Sequence, residues 1–331
     1  PGVFRPASAP HSLGVFAGRF PFDKCGGEGG GGGGGAGGGG GGRRRHPEAV
    51  MEAKMARFMN LKGAPGASEG DWDENIFICH SNSNMIELRR HYASVNSSGN
   101  HNPAYLRFTR VDLSEVRSPE AIHRHTNSLA FPTGCDGDES YLYVIEYNNS
   151  CVTVVDKKHA YGLLETHLAG AGGRVWPRAL RVLDVIGVRG QAGMGNGQLQ
   201  NPAEVKVDGE HVYVLDSGGR RIQIFAKDQF RAAAHQIRIP GTSVMHRMAL
   251  DDEFLYASMV HRAGAPPRRV IRLFRKDSWN QVRDMPATAH NANVSGMAVA
   301  DDRLYVTYFN TNGIAVYHAG MSSDDQHEWI L

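Results

Sequence analysis

The sequence predicts an all-β chain folded as a β-propeller of four-stranded antiparallel blades, and three observations carry that prediction. Short apolar runs rich in Val, Ile, Leu and Tyr recur from residue 76 to the C-terminus. Turn residues separate them at hairpin spacing, which marks antiparallel strands joined by tight connections. The unit then repeats, and a small sheet that cannot bury its own faces must stack on copies of itself.

Residues 1–49 precede the repeats and read as a disordered Gly/Arg-rich tail or linker. Gly26 to Gly42 is glycine apart from Glu28 and Ala36, and Arg43, Arg44 and Arg45 follow directly. Such a segment lacks the apolar surface needed to offset its ordering entropy. The RRRH cluster reads as a solvated linker end rather than a nuclear signal or RNA contact.

The propeller is assigned to residues 50–331. The best-formed unit is 186–225, in which VKV (205–207), VYVLD (212–216) and IQIF (222–225) are split by Asp-Gly and Ser-Gly-Gly turns. Its middle strand matches IFICH (76–80), LYVIE (142–146), LYASM (255–259) and LYVTY (304–308). Acidic or Asn-containing turns precede these runs, and MIEL (85–88), VTVV (152–155), IRLF (271–274) and IAVY (314–317) follow them. Inner strands are expected at ARFM (56–59), LAF (129–131), MAL (248–250) and MAV (297–299). Outer strands are expected at YLRF (105–108), LRVLDVI (180–186), QIRI (236–239), QVRDM (281–285) and EWIL (328–331). That makes five blades. Spacings of 43 and 49 residues between the last middle strands suit a blade period, whereas 66 and 70 require insertions. Residues 89–104 and 109–126 supply one and 159–178 the other, where YGLLETHL also has a helical period.

Composition narrows the function classes. With 41% hydrophobic and 21% charged residues in 331, the chain has ample length for a core. A formal net charge of +2 gives no global field for nucleic acid, although a local basic patch is compatible with it. Cys25, Cys79, Cys135 and Cys151 lack CxxC spacing, which removes zinc-finger and redox-motif readings. They read as reduced, buried residues of a cytoplasmic or nuclear protein. No apolar run approaches the ~20 residues needed to span a bilayer, so no membrane partner is expected. A chain that starts at Pro1 reads as a fragment or a processed product.

The unit at 186–225 resembles the NHL repeat. The residues that carry the resemblance are the spaced glycines from Gly187 to Gly197, Pro202 before the inner strand, Val214-Leu215-Asp216 and Arg221-Ile222-Gln223-Ile224-Phe225. The resemblance is diffuse in the other units, where His80, Glu146, Met259 and Tyr308 stand at the position of Asp216. It implies a propeller, usually of six blades where five are visible here. A carboxylate ending one strand and a guanidinium opening the next would then brace the hairpin.

Propeller ligands usually sit at the channel mouth, near the start of the inner strands. The matched units place Asn127 with Ser128, Ala203 with Glu204, His246 with Arg247, and Ser295 with Gly296 there. Lyase propellers that resemble this family hold zinc through histidines from several blades. Here His246 is in register, while His125 and His290 are displaced by two and five positions, so no metal or cofactor is expected. A calcium-dependent lactonase-like site would use Glu204 and Asn127 but lacks an aligned partner carboxylate. The Gly193-Met194-Gly195-Asn196-Gly197 run is followed by no helix and no Lys-Ser/Thr pair, so it reads as a blade-to-blade connection.

Arg220, Arg221, Arg262, Arg268 and Arg269 are expected to form an arginine-rich rim across adjacent blades. Two partner classes suit it: a protein segment, and single-stranded RNA, which some NHL propellers bind on a basic face. The leading expectation is a non-enzymatic platform that binds a protein partner through its rim loops. By the resemblance, it would be the substrate-recognition part of a larger ubiquitin-ligase-type protein.

Overall fold

The computed structural model describes residues 75–90, 105–123, 126–168, 179–239, 244–261, 268–287, 294–300, 302–308, 314–320 and 327–330. Among them, twenty strands form five sheets arranged as a five-bladed propeller. The tail and the ARFM strand lie outside the described residues.

Blade 1 contains β1 (Asn75–His80), β2 (Met85–Arg90) and β3 (Tyr105–Phe108) in that order. β4 (Arg110–Asp112) then runs parallel to the outer edge of blade 2. Blade 2 itself is β5 (Pro132–Gly137), β6 (Tyr141–Glu146), β7 (Cys151–Asp156) and β8 (Ala179–Gly187), with α1 (Lys157–Leu168) inserted before β8. Blade 3 is β9 (Pro202–Val207), β10 (His211–Asp216), β11 (Arg221–Ala226) and β12 (His235–Arg238). Blade 4 is β13 (Val244–Leu250), β14 (Phe254–His261), β15 (Arg268–Arg275) and β16 (Gln281–Pro286). Blade 5 is β17 (Val294–Ala300), β18 (Arg303–Tyr308), β19 (Ile314–His318) and β20 (His327–Ile330).

The apolar runs are continuous because the middle strands are buried on both faces. In β10, Val212 and Val214 pack with Tyr143, Ile145 and Val152 of blade 2, while Tyr213 and Leu215 pack with Met248, Leu255 and Ala257 of blade 4. Blades 4 and 5 join through Tyr256, Ile271, Met297 and Leu304, and blades 1 and 2 through Ile86, Leu88, Leu142 and Val144. Each such side chain contributes about 1.5–3 kcal/mol on burial. The stability of the stacked blades therefore resides in these seams. Cys79, Cys135 and Cys151 are free and buried within them, as expected of reduced cysteines.

The second unit departs from expectation at its inner strand. LAF does not form it; β5 does, with the sequence PTGCDG. Pro, two Gly and Asp are poor strand formers, but the ladder to β6 and the seams on both flanks override that propensity. Phe131 instead takes a left-handed φ of 52° just before β5, and Asn84 Oδ1 accepts its N–H at 2.7 Å. The blade also has a fifth strand, β4, drawn from the predicted insertion.

The second insertion opens with the helix that its period predicts, α1. Asp156 Oδ1 accepts the His159 N–H at 2.9 Å and caps α1. Leu164 is buried beneath the helix, and Tyr161 stacks on Phe77 with ring centroids 5.7 Å apart. No described helix is long and apolar enough to cross a membrane.

Candidate functional site

The end of the propeller where the inner strands begin has a repeated construction. In blades 2 to 5 the first two strands lose register at one residue: Thr133, Ala203, His246 and Ser295. Each is a β-bulge, which re-aims the chain where the inner strand begins. Ala203, His246 and Ser295 are the residues that sequence matching places there. Asn127 and Ser128 are not, because the true equivalents in blade 2 are Thr133 and Gly134. Pro132 faces Glu146 just as Pro202 faces Asp216, so the proline was the usable signal and the apolar LAF run a distraction. Asn127 and Ser128 lie exposed in the preceding connection, their carbonyls accepting from Val111 N (2.8 Å) and Arg189 Nη2 (2.8 Å).

Glu204 and Arg247 are buried, and they bind one blade to the next. Glu204 Oε2 accepts the Met248 N–H of β13, and its Oε1 lies 3.7 Å from Lys206 Nζ. Burial raises the Glu204 carboxyl above its ordinary range, against the pull of Lys206 and Arg247. Arg247 Nε donates to the Ser295 carbonyl of blade 5 at 2.7 Å and Nη1 to the His246 carbonyl at 2.8 Å. Burial opposes its charge and Glu204 supports it. Asp136 Oδ2 likewise accepts Val207 N at 2.9 Å between blades 2 and 3. His125 and His290 lie outside the described residues, among which no group of three or more His, Cys, Asp or Glu could hold a metal ion.

The Asp216–Arg221 brace takes the expected form. Arg221 Nε donates to Asp216 Oδ2 at 2.8 Å, and both side chains are almost wholly buried. The rest of the guanidinium donates to the carbonyls of Met194 (2.9 Å), Gly195 (2.9 Å) and Gln198 (2.8 Å). Arg221 is therefore removed from the rim, because a guanidinium so enclosed offers no donor face to a partner. In blade 2, Glu146 and Cys151 occupy the Asp216 and Arg221 positions. Arg189 of the following connection supplies the missing guanidinium, with Nε 3.1 Å and Nη2 3.0 Å from Glu146 oxygens and Nη1 2.6 Å from the Thr126 carbonyl. That arginine stands in the IGVRG run, between two glycines that open the connection.

Arg220 and Arg268 lie exposed at this end, with Arg238 exposed beside them and Arg269 half-buried. Arg220 takes a left-handed φ of 50° at the last position of a four-residue hairpin. Asn84 and Ser150 take φ values of 48° and 52° at the same position in blades 1 and 2. Arg268 and Arg269 open β15, facing His261 and Val260, rather than lying in a loop. Arg262 lies outside the described residues. In blades 3 and 4 the described carboxylates towards this end are Asp216 and Glu204, both buried, and half-buried Asp284, which is paired with Arg272 and feels the charge of Arg268 and His261.

The opposite end is acidic and interlocked. Asp208 Oδ1 accepts the Glu210 and His211 N–H groups at 2.9 and 2.7 Å, and Oδ2 accepts Tyr213 OH and Lys276 Nζ at 2.7 and 2.8 Å. Burial resists ionisation there, yet the lysine, the phenol and the backbone N–H hold the carboxyl at about 2. Asp138 repeats the pattern with Tyr143 and Lys227, each lysine reaching back from the next blade. Exposed Glu139, Glu210, Asp252, Glu253 and Asp277 surround these clasps.

No protein-family model matches the chain, and no curated protein matches it. Among solved structures, the WD40 propeller domain of Doa1 is similar over 78% of this chain and 64% of its own length, with 10% identity and a TM-score of 0.45. The Cps50 (Swd1) propeller domain of Myceliophteria thermophila is similar over 75% and 67% of the two chains, at 8% identity and a TM-score of 0.45. A catalytically inactive virginiamycin B lyase from Staphylococcus aureus, with quinupristin, is similar over 80% and 81%, at 11% identity and a TM-score of 0.40. This chain thus spans slightly less than two thirds of the Doa1 propeller domain.

Proposed function

We propose that this chain is a non-enzymatic propeller platform that binds a protein partner on the end where its inner strands begin. One observation carries the reading. At that end the buried charges fix loop geometry, while Arg220, Arg238 and Arg268 are exposed and the nearest described carboxylate of blade 4, Asp284, is half-buried and paired with Arg272. Preorganised loops reduce the ordering cost of association, and exposed arginines steer an acidic partner. The resemblance to NHL repeats supports a finer reading, in which the platform selects substrates for a ubiquitin ligase whose catalytic part lies elsewhere.

Charge reversal at the two ends tests it. A partner recovered by crosslinking to the wild-type propeller should be lost with Arg220→Glu plus Arg268→Glu and kept with Glu210→Lys plus Glu253→Lys. The opposite pattern, or retention by both pairs, sinks the reading. Recovery of RNA instead, with a steep fall in affinity as salt rises, would replace it with the nucleic-acid alternative.

A further inference from the structure

The Gly193–Gly197 run is a heavily anchored connection at the arginine end. Arg221 holds it from beneath through the Met194, Gly195 and Gln198 carbonyls. Gln198 Oε1 accepts Gly195 N and Gln223 Oε1 accepts Gly197 N, both at 3.0 Å. Asn196 exchanges bonds with Ala233, its Nδ2 donating to the carbonyl at 3.3 Å and its Oδ1 accepting the N–H at 3.0 Å. Its Oδ1 also accepts Gln236 Nε2 at 2.7 Å. The glycines are required by this closeness: Gly197 has a φ of +78°, and a Cβ there would run into the Arg231 carbonyl.

None of these bonds uses the Met194 side chain, which projects from the fixed loop 56% exposed. Among the described residues, large hydrophobic side chains are exposed at two positions, Met194 and Tyr105, and Tyr105 is covered by Arg107, 4.7 Å from its ring. A flexible thioether on a rigid mount adapts to an apolar partner while the mount itself loses little entropy. Exposed Arg220 ends the hairpin that leads into Arg221, and exposed Arg238 pairs with Arg221 across β11 and β12, so both cations belong to the blade end that holds this loop.

We infer that Met194 is the apolar anchor of the partner surface, and that its partner is a protein segment setting apolar side chains among carboxylates. This rests on the platform reading and supplies the chemistry of its partner. Among the described residues the exposed aromatic is Tyr105 of blade 1, and none is exposed in blades 3 and 4 beside Arg220, Arg238 and Arg268, so unpaired bases find no stacking surface there.

The test uses the whole chain labelled with 13C at its methionine methyls. The probes are a short peptide with leucines among glutamates, the same peptide with serines for leucines, and oligouridylate. The Met194 methyl should shift with the leucine peptide, which should bind about tenfold more tightly than the serine peptide, as expected for one buried anchor. Met194→Ser should erase that advantage and leave serine-peptide binding unchanged, and Arg220→Glu should weaken both peptides. An unmoved Met194 methyl with every probe overturns the inference, as does oligouridylate binding most tightly. If Arg220→Glu abolishes binding while Met194→Ser changes nothing, the anchor is wrong and the platform stands. If neither variant alters binding, both readings fall.

Discussion

Replacing Arg221 by Met keeps most of the apolar stem and removes one guanidinium, so its effect isolates the brace in blade 3. The change leaves the Asp216 carboxylate buried opposite no cation and three loop carbonyls without their donor. Breaking a buried pair from one side costs about 3–5 kcal/mol. At about 2–3 °C per kcal/mol for a chain of this size, the melting temperature should fall by roughly 6–15 °C. Acidity should modulate the loss in a definite direction. Burial raises the Asp216 carboxyl above its unfolded value even with Arg221 and the Gln200 N–H opposing it. A carboxyl raised in the folded state stabilises below its unfolded pKa of about 3.9 and loses that contribution as pH rises through the folded value. Without Arg221 the carboxyl rises further, so the deficit should be greatest at neutral pH and shrink on acidification. Melting followed by circular dichroism measures this, with hydrogen exchange at the Gly195 and Gly197 amides reporting the loop. A fall of less than ~2 °C at neutral pH, or undiminished exchange protection of those amides, would refute the account. Arg221→Lys should recover only part of the loss, because an ammonium cannot match the fork that serves one carboxylate and three carbonyls.

Other clasps and turns make separate predictions. Lys276→Met should cost about 1–2 kcal/mol at neutral pH, after allowance for solvent screening, and raise the Asp208 carboxyl from about 2 in carbon-detected titrations. Because Asp208 is held low, its contribution is present above the unfolded value of about 3.9 and fades as pH falls towards the folded one, so Asp208→Asn should flatten acid unfolding over that range. Burial lowers the His235 imidazole, which stacks on Trp279 with centroids 5.5 Å apart; Trp279→Ala should let its titration midpoint rise in proton NMR. Gly197→Ala should destabilise by over ~1 kcal/mol because of its positive φ and the Arg231 carbonyl. Gly209→Ala, whose Cβ would meet nothing within 4 Å, should be near neutral by the same melting assay.

Most of the fold was legible because the propeller writes itself in its middle strands. VYVLD and its counterparts are buried on both faces, so their apolar runs persist even where the positions matching Asp216 and Arg221 carry other residues. The inner strand of blade 2 was not legible, since PTGCDG folds through its ladder and seams rather than through propensity. The start of the inner strand was aligned with Ala203, His246 and Ser295 where that strand is apolar, and set too early, at Asn127 and Ser128, where it is PTGCDG. Charge distribution was the least legible feature. Arg220 and Arg221 are adjacent in sequence, yet one is exposed and the other enclosed. A left-handed residue at the hairpin end reverses their directions, and no composition rule anticipates that.

The brace also explains how the blades can differ while the ring persists. In blades 2 and 3 an acid ends the second strand, and an arginine from either the next strand or the next connection satisfies it. Both arrangements accompany four-residue hairpins, and in each the guanidinium also ties down the connection leading into or out of the blade. In blade 4 the corresponding residues are Met259 and Val270, and the strands continue for two further pairs before a six-residue connection. An apolar pair can close that seam but cannot hold loop carbonyls. The arginine end is therefore asymmetric, braced through blades 2 and 3 and apolar at the matching point in blade 4. A partner anchored on Met194 would meet the braced part first, where contact costs little ordering, and reach Arg268 across the seam to blade 4. Moving an acid–arginine pair into blade 4, with Met259→Asp and Val270→Arg, should consequently stiffen the far side without altering the anchor. If Met194 carries the contact, that double variant keeps its affinity for the leucine peptide, whereas loss of affinity would place the contact in blade 4.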